Sequence, residues 1–188
     1  QGGQIPKKYS CEGENINPPL EISGFPGHTQ SLALILEDPD AVKGIFYHWV
    51  VWNIPPTGSI SENSSPGITG SNSSGTEEYT GPCPPTGSHR DYFRGGALDT
   101  LLDISAGSDK NTLEEAMKGH QLSTGKLWHT SGKGADCSRE CPAHWKQNCI
   151  RVMAVQGQGR NITTCPPPLG RLIVKLSDEL TSRISFNK

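Results

Sequence analysis

Long apolar runs are what this 188-residue chain most lacks. No stretch approaches the roughly 18 consecutive apolar residues of a spanning helix, so a helical integral membrane protein is not expected. Positive charge is not in excess either: the formal net charge is −2 and there is no basic run, which removes any global pull toward nucleic acid or an anionic membrane. Gln1-Gly2-Gly3-Gln4 has no charged-then-apolar pattern, so no signal peptide is visible. The expected location is the cytoplasm, with periplasm or secretion as alternatives, because the chain does not begin with Met and a leader could have been removed. Internal repeats are absent. Metal motifs are equally scarce. The spacing of Cys137, Cys141, Cys149 and Cys165 matches no strong zinc pattern, although His144 lies among them. Disulfides or unpaired thiols are expected there instead, and no cofactor is expected. The sequons that begin at Asn63, Asn72 and Asn161 are too common by chance to indicate secretion.

What the chain does have is punctuation. Gly 22 and Pro 15 together make up about a fifth of it, against 32% hydrophobic residues, a balance that favours short strands and constrained turns over helices. Ser31–Glu37 is apolar on both faces and bounded by turn residues, as a buried strand would be. Asp38-Pro39-Asp40 ends it, since Pro39 has no ladder donor. Phe46–Ile54 is the second strand. Strict alternation puts Phe46, His48, Val50, Trp52 and Ile54 on one face and Tyr47, Trp49, Val51 and Asn53 on the other. Residues 57–80 read as a long structureless excursion rich in Ser, Gly, Asn and Thr. Tyr92-Phe93 and Ala97-Leu98 read as strand fragments broken by Gly95-Gly96. Ser108–His120 is the clearest helix: Ser108 or Asp109 caps it, Leu113, Ala116 and Met117 form its stripe, and Gly119 closes it. His129–Gly134 reads as a linker, followed by strand-like segments at Ile150–Val155 and Leu172–Leu176.

Two segments carry the chemistry. Asp38 and Asp40 flank a proline at a strand end, followed by His48. Alone, Asp-Pro-Asp is ordinary turn chemistry and His48 a core-edge histidine. Together, one aspartate can fix a histidine tautomer and aim its other nitrogen at a ligand. In Gly81–Arg90, Pro82, Pro84 and Pro85 remove backbone donors and stiffen the approach to His89, and the Gly87-Ser88 turn offers amides to an anion. If the halves meet, two aspartates and two histidines share a cleft. Such a set also suits a divalent metal, so a metal-dependent or His/Asp hydrolase is the alternative reading. No activated nucleophile is evident, since Ser88 merely adjoins His89 in sequence.

Leu34–Ala41 with Lys43-Gly44 and His48–Pro55, followed by Gly81–Arg90, resembles the signatures of the phosphatidylethanolamine-binding protein family. The stretch Ile5–Leu127 is similar to its prokaryotic, Raf-kinase-inhibitor-like branch, with Ile5–Tyr9, Cys11–Asn15, Asn72, Gly75, Tyr79 and Met117–His120 also fitting. The resemblance implies a mostly β fold: a large central antiparallel sheet, a smaller packed sheet and peripheral helices. It implies a non-enzymatic anion pocket lined by Asp38, Asp40, His48, Pro82 and His89, for phosphate-like head groups or carboxylates. It further implies a kinase or protease as protein partner. Three departures stand out. Asp91 occupies a position where the family pattern has Tyr, and two like charges 4 Å apart near a surface cost on the order of 4 kcal/mol. Asp91 should therefore point away, be neutralised by Arg90 or Arg94, or weaken the site. Gly95-Gly96 replaces bulkier residues. The chain also continues well past Leu127, so residues 1–128 are taken as the domain and 129–188 as an extension.

Overall fold

The computed structural model describes residues 3–132 and 182–187. The expected strands at 150–155 and 172–176, the four late cysteines, His144 and Asn161 lie outside those residues. Strand β1 (Leu20–Ser23) precedes β2 (Ser31–Asp38) and β3 (Phe46–Ile54). Two short strands follow, β4 (Ser59–Ile60) and β5 (Ile68–Thr69), then β6 (Ser88–Leu98). Helix α1 (Lys110–Met117), β7 (Gln121–Gly132) and β8 (Ser182–Asn187) complete the order. The strands run β4-β1-β8-β7-β6-β2-β3-β5. All pairings are antiparallel except β1 with β8. The expected class is therefore what the chain adopts: mostly β, with a large antiparallel sheet and a smaller strand set, plus α1 and a 3₁₀ turn at Lys7–Tyr9.

Both faces of the large sheet are covered, which is why β2 reads as continuous hydrophobic sequence. On one face Leu32, Leu34, Leu36, Trp49, Val51 and Phe93 pack against Leu20, Ile22, Ile60 and Ile184 of the smaller strand set. On the other, Ala33, Ile35, Val50, Trp52 and Leu98 pack against Leu113 and Met117 of α1. Asp109 caps that helix by accepting from the Thr112 amide, and Gly119 follows it at φ +80°.

The structure corrects four expectations. The alternation along β3 is broken twice. Leu36 pairs with Trp49 but Glu37 with Tyr47, and Leu32 pairs with Ile54 but Leu34 with Val51. Each step leaves an extra residue in β3, a β-bulge that re-aims its neighbours. Tyr47 and Trp49 therefore lie on opposite faces, and Ile54 joins Trp49 and Val51. Asn53, at φ +54°, turns the second bulge; its side-chain nitrogen donates to the Leu102 carbonyl and its side-chain oxygen accepts from the Leu102 amide. Next, Gly95-Gly96 does not break the strand: β6 runs unbroken from Ser88 to Leu98, paired to β7 along its length and to β2 over Tyr92–Leu98. The cross-strand ladders on both sides supply the order that side-chain packing would otherwise give. A Cβ on Gly96 would stand 2.6 Å from the Met117 methyl, so α1 sits over that position. The excursion over 57–80 is not structureless either. It contains β4 and β5, buries Ile60 and is tied by Asn72. Finally, 129–132 is not linker but the end of β7, held against β6. A division at 128/129 falls inside that strand.

Candidate functional site

The antiparallel order brings the end of β2 and the starts of β3 and β6 to one end of the large sheet, with Asp38 paired to Phe46 and Glu37 to Tyr92. Asp38, His48 and His89 meet there. Sequence alternation placed His48 with Val50 and Trp52. The bulge instead turns it toward the Trp49 face, against the Phe46 ring at 4.7 Å between centroids.

Each imidazole is fixed through Nδ1. His89 Nδ1 donates to Asp38 Oδ2 at 2.7 Å, and Asp38 Oδ1 accepts from the Asp40 amide at 2.8 Å. His48 Nδ1 lies 2.9 Å from the Thr80 carbonyl oxygen. A carbonyl only accepts, so this nitrogen carries the proton. Burial lowers the His48 pKa to about 4, against a smaller upward pull from the Thr80 carbonyl. The ring is therefore neutral at pH 7, and its Nε2 carries a lone pair.

The Thr80 carbonyl is itself positioned. The Asn72 side-chain amide lies within hydrogen-bond distance of Glu78 O and Thr80 Oγ1, at 2.9 Å each. Its oxygen accepts from the amides of Ser74 and Thr76. The Gly81 amide donates to Asn15 Oδ1 at 2.7 Å. Beyond it, Cys83 is bonded to Cys11 in a disulfide, with Cα atoms 5.4 Å apart. Sequence reasoning left these two cysteines unassigned. Their large separation hid the pairing that the fold creates.

Asp40 and Pro82 have different surroundings from the three clustered residues. Asp40 takes a bidentate contact from Arg90, at 2.8 Å to Nε and 2.6 Å to a terminal nitrogen, plus the Arg90 amide at 3.0 Å. That arginine holds the Asp40 carboxyl down to about 2. The pair fastens the turn after β2 to the start of β6. Pro82 is buried, and its carbonyl accepts from the Cys11 amide at 3.3 Å. It lines a cleft of about 460 Å³ beside the disulfide. A separate cleft of about 920 Å³ lies under α1, walled by Arg94, Met117 and Lys126, and shares no residue with the histidine cluster.

Asp91 is the residue whose position the sequence left open. It neither points away nor finds an arginine. It is 0% exposed and aimed into the cluster, with Oδ1 3.7 Å from His48 Nε2. Arg90 is engaged by Asp40, and Arg94 by Glu37 at 3.1 Å and Glu114 at 2.8 Å. Neither Asp91 oxygen has a hydrogen-bond partner of normal geometry. Burial raises its pKa to about 7, the nearby Ser131 hydroxyl opposes this only in part, and the Asp38 charge adds to it. The 3.7 Å contact is not a salt bridge, because the imidazole it reaches is neutral.

The comparisons agree on one assignment. A family model described as phosphatidylethanolamine-binding protein matches residues 1–131. A UPF0098 protein of Methanothermobacter thermautotrophicus is 49% identical over 133 residues, covering 66% of this chain and 88% of that one. The crystal structure of the Chlamydia trachomatis homolog CT736 aligns with a TM-score of 0.68 at 42% identity, covering 70% of this chain and 91% of the other. The Escherichia coli protein YbcL, described as a new member of the mammalian PEBP family, aligns at 0.65 and 26% identity, over 71% and 93%.

Proposed function

Because the chain belongs to the phosphatidylethanolamine-binding protein family, we propose that it is a binding module whose Asp38–His48–His89 cluster receives a small phosphate-like or carboxylate anion. The observation that carries this is the fixing of both imidazoles through Nδ1, by the Asp38 carboxylate and the Thr80 carbonyl. Both rings then have Nε2 left for a ligand. His48, neutral, accepts a hydrogen bond from the P–OH of a phosphate monoanion. His89, held by Asp38 through Nδ1, presents its Nε2 to the same anion. Catalysis is not part of the proposal. Among the described residues no nucleophile is hydrogen-bonded to His48 Nε2, and Ser88 is exposed.

Asp91 opposes this binding in the metal-free protein. The test is a titration with phosphorylethanolamine after chelator treatment, following the imidazole resonances of His48 and His89. Both should move in the wild type, and at lower ligand concentration in Asp91→Tyr. Resonances that stay put at millimolar ligand in both proteins would defeat the proposal. The Cys11–Cys83 bridge supports an oxidising compartment over the cytoplasm, since glutathione keeps most cytosolic thiols reduced. Thiol blocking before lysis should leave these two cysteines unlabelled; labelling of both would return the chain to the cytoplasm.

A further inference from the structure

The buried corner between β2, β3 and β6 holds more electron pairs than protons. His48 is 4% exposed, yet its Nε2 has no hydrogen-bond partner. Its proton sits on Nδ1, committed to Thr80. Asp91 faces it with two oxygens that also lack partners. Asp38 accepts one hydrogen bond on each oxygen and keeps further lone pairs, since a carboxylate offers about four sites. Once Asp91 is ionised, a lone pair stands 3.7 Å from a carboxylate oxygen with no hydrogen between them, an arrangement that a cation relieves.

The geometry fits one. A ligand atom from each of Asp38, His48 and Asp91 lies within 4.8 Å of the others. Ligands about 2.0–2.2 Å from zinc stand about 3.4 Å apart in a tetrahedron, so the side chains need to close by at most about 1.4 Å. The Nδ1 hydrogen bond to a backbone carbonyl is the outer contact that fixes the tautomer of a metal-bound histidine. One imidazole and two carboxylates favour a zinc-type ion over magnesium or calcium, which prefer all-oxygen sites. Three protein ligands also leave a fourth position open.

We propose that His48 Nε2, Asp91 and Asp38 bind a divalent cation of the zinc type, whose open position then receives the anion. The second half rests on the function proposed above; the first does not. Asp91 thus has opposite effects in two states: it repels an anion in the metal-free protein and recruits one through the metal.

The test uses the full chain, stripped with chelator and exchanged, with zinc added at pH 7.5. Residue-resolved nitrogen NMR separates this site from the late cysteines. With one equivalent of zinc, His48 Nε2 should shift while its Nδ1 stays hydrogen-bonded. Asp91→Asn should weaken that response at least about 10-fold, since even outer-shell changes cost 10–100-fold. Asp91→Ser serves as the second variant should the first fail to fold. No His48 shift at millimolar zinc overturns the site, as does an equal response in a folded Asp91 variant. An equal affinity for magnesium overturns the zinc-type assignment. Phosphorylethanolamine should then move His89 at lower concentration in the zinc-loaded protein. If zinc binds but the anion does not, the metal site stands and both the anion half and the proposed function fall.

Discussion

Replacing Asp91 by Asn in the metal-free protein should change how stability depends on pH, in a direction fixed by the two shifted groups at the site. Asp91 is raised from 3.8 to about 7. Between those values the folded state holds a proton that the unfolded state has lost. Its contribution is therefore full below pH 3.8, is lost as pH rises, and is gone above about 7. At 1.36 kcal/mol per pKa unit the span is worth at most about 4 kcal/mol. His48 is lowered from 6.5 to about 4, so it acts in the opposite sense. Its contribution is full above pH 6.5 and is lost as pH falls toward 4. From about pH 4 to 6.5 the two slopes oppose, and the wild type should be nearly flat for this pair. A buried Asn brings its own desolvation cost of about 1–3 kcal/mol, so the absolute stability of the variant decides nothing. The readout is the difference between variant and wild type in urea unfolding free energy, measured at half-unit steps from pH 4 to 8. That difference should move in the variant's favour by up to about 1.4 kcal/mol per pH unit and level off above pH 7. His48→Gln should give a difference curve of opposite slope, confined to pH 4–6.5. A flat Asp91→Asn curve, or one that falls with pH, would refute the claim that the carboxylate is buried without a compensating partner.

Other perturbations probe the shell around the site. Asp38→Ala removes the acceptor of His89 and should cost about 1.5–3 kcal/mol, the range for hydrogen bonds to charged groups; an unchanged urea midpoint would show that the contact contributes nothing. Reducing Cys11–Cys83 opens a loop of 72-residue separation and should lower stability by about 2–4 kcal/mol. Melting curves that coincide with and without reductant would contradict this. Asn72→Ala should loosen Thr80 and so expose the His48 Nδ1 proton to faster solvent exchange, which proton NMR measures directly; unchanged exchange would mean that Thr80 is held by other contacts.

Much of the fold was legible because local signals and tertiary packing agree. Asp38-Pro39-Asp40 stops β2 where Pro removes a donor, and Pro55 follows β3 at its end. The cap at Asp109 and the stripe of Leu113 and Met117 mark α1 for the same reason. What failed was what depends on a partner strand. A bulge is a mismatch between two strands, and nothing in Phe46–Ile54 alone says that one step of β2 will span two of β3. The face of His48 was therefore unreadable, although its neighbourhood to Asp38 was not. Gly95-Gly96 misled in the same way, since ladders on both sides hold a segment whose own propensity argues against a strand. Asp91 is the instructive middle case. Its period-2 relation to His89 and Phe93 puts all three on one face of β6, and His89 and Phe93 are both buried. An aspartate there must be paired, protonated or metal-bound, because an isolated buried charge is too costly. Arg90 and Arg94 could have paired it, but they sit at the positions between, so the same alternation carries them away, to Asp40 on one side and to Glu37 and Glu114 on the other. Period 2 thus excludes the neutralisation by adjacent arginines that the bare sequence suggests. It leaves a proton or a metal as the partner of Asp91, and either one also meets the lone pair of His48 Nε2 that faces it.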